Sequence, residues 1–258
     1  MKIIVLVKEV PDTWSDRKLD LETGLADRGA SDPVLDEISE RSLEVALSYA
    51  DAHEGTEVVA LSVSPESAST TVRKALAVGA GRAVQVVDEE LRGADVMLTA
   101  EVLAAASRNE GFDLIIAGNT ATDGMSGMVP AALAEHLEVA LLSGLSQVEI
   151  TESVVSGRRP VDGGVQHVSA ALPAVISITE ALPEGRFPSF KGIMAAKKKP
   201  LETQSLADLN VIVDNAVSPR SIMLSINEKP PRAAGVKIID GGDAGEQIAN
   251  YLVENRLA

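Results

Sequence analysis

Val58-Val59-Ala60-Leu61-Ser62-Val63-Ser64-Pro65-Glu66-Ser67-Ala68 decides the fold. Its first six residues form an almost continuous apolar run rich in β-branched side chains. Such a run is too short for a helix and suits a strand buried on both faces. Ser64-Pro65-Glu66 then supplies a capping hydroxyl, a proline at the first helical position and an acid for the positive end of a helix. The helical pattern runs over Glu66–Val78 and stops at Gly79-Ala80-Gly81, and a second apolar run follows at Ala83–Val87. This GxG follows a helix, whereas a dinucleotide fingerprint follows a strand and opens a helix, so it reads as a helix end with a close turn. A strand, a crossover helix and a second strand require parallel pairing. Outward from this unit the pattern repeats, with strand-like runs at Ile3–Val7 and Leu114–Ala117 and helical stretches at Leu35–His53 and Ala94–Asn109. The expectation is an open α/β domain, doubly wound around a mostly parallel sheet.

Past residue 145 the character changes. Gln147–Ser156 and Val165–Ala171 are strand-like and flank Gly157–Gly164, which reads as a hairpin or a loop between antiparallel strands. Leu172–Ile178 reads as a strand returning to the main sheet. From Pro183 to about Arg232 no long periodic element is visible, and such a stretch marks function, disorder or packing on another chain; packing on another chain is the favoured reading. Ala244–Leu257 reads as a terminal helix with apolar residues at Ile248, Tyr251, Leu252 and Val253.

The 258 residues contain no cysteine, which excludes disulfides, thiolate metal sites and cysteine nucleophiles. Three histidines, His53, His136 and His167, stand far apart in sequence. A formal charge of −15 disfavours nucleic acid and anionic membranes as general partners. No run approaches the roughly 20 apolar residues that span a bilayer. The opening MKIIVLVKEVPD is too short in its apolar part for a signal peptide and reads as a strand of a cytoplasmic protein. No Walker A, HExxH, Ser-His-Asp order or paired-carboxylate spacing is present, so any redox chemistry falls to a cofactor. Asp36 and Glu37 with Glu40 and Arg41 read either as a site cluster or, more commonly for such a pattern, as an acidic first helical turn.

Two stretches remain. Gly118-Asn119-Thr120-Ala121-Thr122-Asp123-Gly124-Met125-Ser126-Gly127 follows the fourth strand and leads into the helical Met128–Leu137. Ordinary βα connections take about two to six residues, and this one takes about ten. It reads either as a nucleotide phosphate cradle at a strand end or as a long polar connection. The second stretch, Arg186–Lys199, holds Phe187 and Phe190, two of the chain's three phenylalanines, ahead of Lys197-Lys198-Lys199. Rings beside prolines and lysines do not suit a strand or a core helix. They suit a partner-docking loop, in which a ring fills a pocket and charges steer encounter; the alternative is that both rings pack inward.

With these stretches in view, the chain resembles the beta subunit of electron-transfer flavoprotein nearly end to end. The resemblance rests on Ile4–Asp12, on Arg73-Lys74-Ala75-Leu76-Ala77-Val78-Gly79-Ala80, on Phe187–Lys199 and on Ala234-Gly235-Val236-Lys237. It implies a Rossmann-like fold of the adenine-nucleotide hydrolase-like kind, with a small antiparallel insertion (147–171) in an α/β nucleotide-binding domain over 1–182. A partner-recognition loop would occupy 183–200. An extended C-terminal arm and terminal helix, 201–258, would pack on the alpha subunit.

By the same resemblance this subunit is an electron carrier without catalytic residues of its own. It binds a structural AMP, while the alpha subunit holds most of the FAD. Flavin dehydrogenases, such as acyl-CoA dehydrogenases, dock on the recognition loop, and the electrons pass on toward the respiratory chain. Carried over by position, the AMP contacts fall on Leu6, Asp36, Val63 and the segment from Gly118 through Asn119, Thr120, Ala121, Thr122, Asp123, Gly124, Met125 and Ser126 to Gly127. Docking falls on Phe187, Phe190, Lys191, Ile193, Met194, Lys197, Lys198 and Lys199, with Phe190 as anchor. The loop is shorter than in many relatives and lacks their glutamine, which shifts the expected contacts toward backbone amides. Two alternatives stay open: an electron-bifurcating type with a second flavin in place of AMP, and a stand-alone adenine-nucleotide module.

Overall fold

The alternation expected from Val58–Val63 governs the central sheet. Strands β1 (Lys2–Leu6), β4 (Glu57–Val63), β5 (Arg82–Val86), β6 (Leu114–Gly118), β7 (Ala140–Leu145), β11 (Ala174–Ile178) and β12 (Leu201–Gln204) form seven strands in the order β12-β5-β4-β1-β6-β11-β7, and every neighbouring pair is parallel. The computed structural model describes residues 1–15, 17–213, 221–232, 234–235 and 237–257. It divides into two units, Met1–Leu224 and Ser225–Ala258. Among the described residues no helix is long and apolar enough to cross a membrane.

Successive strand residues point to opposite faces, and each face buries its own layer of helices. Ile3, Val5, Val58, Ala60, Leu114 and Ile116 pack with Leu43, Leu47, Val72 and Leu76 of α1 (Glu37–Ala52) and α2 (Ser69–Val78). Ile4, Val59, Leu61, Ile115 and Val175 pack instead with Leu98, Val102, Leu103 and Leu133 of α3 (Val96–Glu110) and α4 (Val129–Leu137). Strands buried on both sides explain why the sequence shows apolar runs rather than alternation. The chain winds outward from β1 through β4 and β5 on one side, and through β6 on the other. The strand order therefore reverses between β1 and β6, where ligands of open α/β sheets bind.

Several details differ from the expectations. The segment after β4 starts with a 3₁₀ turn at Glu66–Ala68 before α2. Pro65 sits at its cap, and Ser64 does not cap it. The Ser64 hydroxyl is taken instead by Gln85 Nε2 at 3.1 Å and by Ser62 Oγ at 3.1 Å. Gly79 does end α2, as read.

The stretch Gly157–Gly164, expected as the connection of a hairpin, is mostly strand. β8 (Gln147–Ile150), β9 (Val154–Val161) and β10 (Gly164–Ala171) form a three-stranded antiparallel sheet. Pairing of β9 with β10 satisfies the backbone up to Val161, so only Asp162-Gly163 is needed for the turn, a strong hairpin pair. Leu172–Ile178 does return to the main sheet, as β11 between β6 and β7.

Beyond Pro183 lie two short elements, α5 (Phe190–Ala196) and β12. The arm expected from residue 201 thus contributes its first four residues to the sheet edge beside β5. In the second unit, α6 (Ala244–Glu254) is the terminal helix, with Ile248, Tyr251 and Val253 exposed. Val236, part of one family segment, lies outside the described residues.

Candidate functional site

Leu6, Val63 and Gly118 stand at the carboxyl ends of β1, β4 and β6, three adjacent strands. The long connection from Gly118 begins there. Gly118 is required by the approach of α1: a Cβ at this position would lie 2.4 Å from Ile38 Cγ2 and 2.7 Å from Ile38 Cγ1. The missing side chain lets the first turn of α1 settle on the end of β6.

That approach delivers Asp36, the residue before α1, into the loop. Its backbone amide donates to Lys8 O at 2.9 Å, and its Oδ2 accepts the Thr122 amide at 3.0 Å. Asp36 is 1% exposed, while Glu37 and Glu40 form the acidic first turn read from the sequence. Arg41 is buried as well; it donates to Leu182 O and to Glu37. Burial pushes the Asp36 carboxyl above the usual carboxylate range, against the opposing donation from Thr122. Asp36 Oδ1 and Thr122 Oγ1 are buried without a well-formed hydrogen bond among the described residues, although the Thr122 hydroxyl and the Ile38 amide lie near enough to the carboxyl to oppose its upward shift.

Asp123 holds the other half of the loop. Lys8 Nζ lies 2.7 Å from one of its oxygens and Arg28 Nη2 lies 3.0 Å from the other. Desolvation raises its carboxyl, but Lys8 and Arg28 outweigh that and hold it below the ordinary value. Two cations against one carboxylate leave a local positive excess at the loop.

The amides are divided. Asn119 donates to Ile178 O, Thr122 to Asp36, Gly124 to Asp123 and Met125 to Ala121 O. Those of Thr120, Ala121, Asp123, Ser126 and Gly127 have no protein acceptor among the described residues. Two carboxylates, Asp36 and Asp123, thus occupy part of the loop beside these free amides. Lys8 and Arg28 were not picked out as site residues from the sequence. Lys8 follows a strand end, which is a readable signal; Arg28, far off in a polar excursion, has none.

Chemically, this arrangement offers a buried acceptor, a buried hydroxyl, free amides and two cations at a strand-order reversal. A ligand with amine or hydroxyl donors at one end and an anion at the other satisfies all four, and an adenine nucleotide has that character. The residues present fit AMP.

The second stretch is held apart on the same unit. Phe187 is 94% exposed and Phe190 81% exposed, which excludes the inward-packed alternative. Lys191, Ile193, Met194, Lys197 and Lys198 are exposed beside them. Lys199 differs: its ammonium donates to the carbonyls of Leu76, Gly79 and Ala80 at 2.7–3.3 Å. It is committed to the end of α2 and does not serve as a free steering charge.

The electron transfer flavoprotein domain matches residues 24–209. The chain is 46% identical to the electron transfer flavoprotein subunit beta of Mycobacterium tuberculosis, over 99% of this chain and 98% of that one. It is 33% identical to the subunit beta of Bacillus subtilis, over 95% and 93%. It is 30% identical to the caffeyl-CoA reductase-Etf complex subunit CarD of Acetobacterium woodii, over 98% and 97%. Parallel sheet, strand-end loop and end-to-end similarity agree, and the chain belongs to the electron-transfer flavoprotein family, as a beta subunit serving electron transport.

Proposed function

We propose that this chain is the beta subunit of a heterodimer that carries electrons from flavin dehydrogenases, acyl-CoA dehydrogenases among them, toward the respiratory chain. AMP is held here and FAD mainly by the alpha subunit. The observation that carries the nucleotide assignment is the row of loop amides without acceptors beside the buried Asp36 carboxyl and Thr122 hydroxyl, neither of which has a well-formed hydrogen bond at Oδ1 or Oγ1. Buried polar groups are rarely left unpaired, so a ligand that donates to the carboxyl and accepts from the hydroxyl removes a cost of about 1–3 kcal/mol per group. Lys8 and Arg28 supply charge for a phosphate; Leu6 and Val63, half-buried at neighbouring strand ends, bound the site. The bound FAD supplies the one- and two-electron chemistry, and this chain's residues bind and position. Delivery of electrons rests on the exposed Phe187 and Phe190, with Lys191, Lys197 and Lys198 beside them.

A second reading, a redox flavin in place of AMP, is favoured by the similarity to a subunit of a reductase-Etf complex. Denaturing the purified heterodimer separates the two. One AMP and one flavin per heterodimer supports the first reading. Two flavins without AMP overturns it in favour of the second, and neither nucleotide in the supernatant removes the loop's role altogether.

A further inference from the structure

A seven-residue helix does not hold itself together in water, where isolated helices shorter than about 12–15 residues are marginal. Yet α5 starts at the largely exposed Phe190, three residues after the still barer Phe187, and keeps only Ala196 buried among its residues. Its order has to come from the flanks, and both flanks are fastened by cations. On the entry side, Arg186 holds Glu44 in α1 through its Nε at 2.8 Å and Nη2 at 2.9 Å, and through its backbone amide at 3.1 Å. Its Nη1 reaches Asp51, about two helical turns further along α1, at 2.8 Å. On the exit side, Lys199 caps the carbonyls of Leu76, Gly79 and Ala80. Arg73 in α2 donates back to Ala196 O at 3.0 Å and Lys199 O at 3.3 Å. In the middle, Gly192 lies flat on α2: a Cβ there would be 2.3 Å from Ala77 O.

We propose that Arg186, clamped to Glu44 and Asp51, is a positioning residue that, with Lys199 and Arg73, presents the Phe187–Phe190 hook in a fixed pose to the partner dehydrogenase. The inference rests on the docking role proposed above; it adds Arg186 and Arg73, which the docking assignment does not contain, and gives Lys199 an anchoring role in place of a contact. A fixed hook loses less conformational freedom on binding than a floppy one, so the clamp acts on encounter affinity and not on the electron-transfer step itself. The Glu44 carboxyl, held low first of all by its hydrogen bond from Arg186, stays charged throughout the neutral range, so the clamp does not switch off with mild pH change.

The test measures reduction of the intact heterodimer by an acyl-CoA dehydrogenase, with the heterodimer as the varied substrate. Arg186→Ala is expected to raise KM by about tenfold, the order at which immobilising a few side chains acts, with kcat within twofold of the parent. Arg186→Lys, which can keep one carboxylate contact, recovers part of the loss. Gly192→Ala, which leaves every ion pair in place but lifts the helix from Ala77, is expected to raise KM in the same way. Phe190→Ala reports separately on the hook. If Phe190→Ala raises KM while Arg186→Ala and Gly192→Ala do not, the positioning inference is overturned and docking survives. If none of the three changes KM, both fall. A fall in kcat with unchanged KM in Arg186→Ala also overturns the inference.

Discussion

Replacing Gly118 by alanine tests how the nucleotide loop is built. The added Cβ would meet Ile38 Cγ2 at 2.4 Å, Cγ1 at 2.7 Å and Cβ at 3.0 Å. Carbon atoms in contact sit about 3.5–4.0 Å apart, so Ile38 has to retreat by about 1 Å. Ile38 is buried in the first turn of α1, two residues from Asp36, and that turn cannot move without carrying the Asp36 carboxyl away from the Thr122 amide. Overpacking of this kind costs about 1–3 kcal/mol, and a 2 kcal/mol loss lowers the melting midpoint of a domain this size by roughly 4–8 °C. Differential scanning calorimetry of the heterodimer gives the midpoint, and nucleotide released on denaturation gives AMP content. Gly118→Ala is expected to melt several degrees lower and to retain less AMP. Ile38→Ala removes the two nearest of these atoms, Cγ2 and Cγ1, and keeps Cβ. In its background the same glycine substitution should cost under about 0.5 kcal/mol, a coupling of roughly 1.5 kcal/mol between the two sites. If Gly118→Ala melts with the parent and holds AMP fully, the close approach of α1 to β6 does not organise the site. If the cost persists undiminished beside Ile38→Ala, the clash lies elsewhere.

Asp123→Asn removes the charge shared by Lys8 and Arg28, which are themselves about 40% exposed, so a loss of about 1–2 kcal/mol is expected at pH 7. The folded-state value of Asp123 is depressed, so its contribution is complete above about pH 4 and is lost as pH falls through that depressed value; the variant should lack this acid-limb loss in a pH series of melting curves. Asp36 has the opposite sign. Its folded-state value is raised, so its burial costs stability increasingly as pH rises from its ordinary value through the raised one, and Asp36→Asn should flatten that slope in nucleotide-free protein. A steeper slope in Asp36→Asn than in the parent would refute the desolvated-acid account.

The doubly wound sheet was legible because its signals are local: apolar runs such as Val58–Val63 and Leu114–Ala117, separated by helical stretches of readable length. The winding is visible in that alternation, and β11 was legible as a returning run. What failed were features set by pairing or by distant contacts. Gly157–Val161 contains glycine, two arginines and proline, and propensity alone makes it a loop; β10 along its length, with β8 beside Gly157 and Arg158, makes it a strand. Asp36 looks like any acid at a helix start until Gly118, eighty residues on, lets that start descend onto β6. Lys199 is one of three consecutive lysines, and nothing in the triplet tells which one meets the open carbonyls of α2. The loop Gly118–Gly127 was found by its length and glycines, whereas its cations come from segments near residues 8 and 28 that sequence distance hides.

The charge of the chain shows why placement outweighs totals. With a formal charge of −15 the protein as a whole repels phosphate, yet exposed charges more than about 8 Å away are largely screened at physiological salt. Inside that radius the loop presents Lys8 and Arg28 against Asp123, while the Asp36 carboxyl is biased by burial toward its neutral form. The same reasoning applies to the hook, where Lys191, Lys197 and Lys198 surround two bare rings on an otherwise acidic molecule. A partner pocket that accepts the rings gains most if its rim is acidic, and a second copy of this acidic chain is discouraged from approaching elsewhere by its own net charge. On the proposed function, local positive charge on a negative body thus serves two ends at once: it admits one anion to the strand ends, and it marks one face of the subunit as the place where a partner arrives.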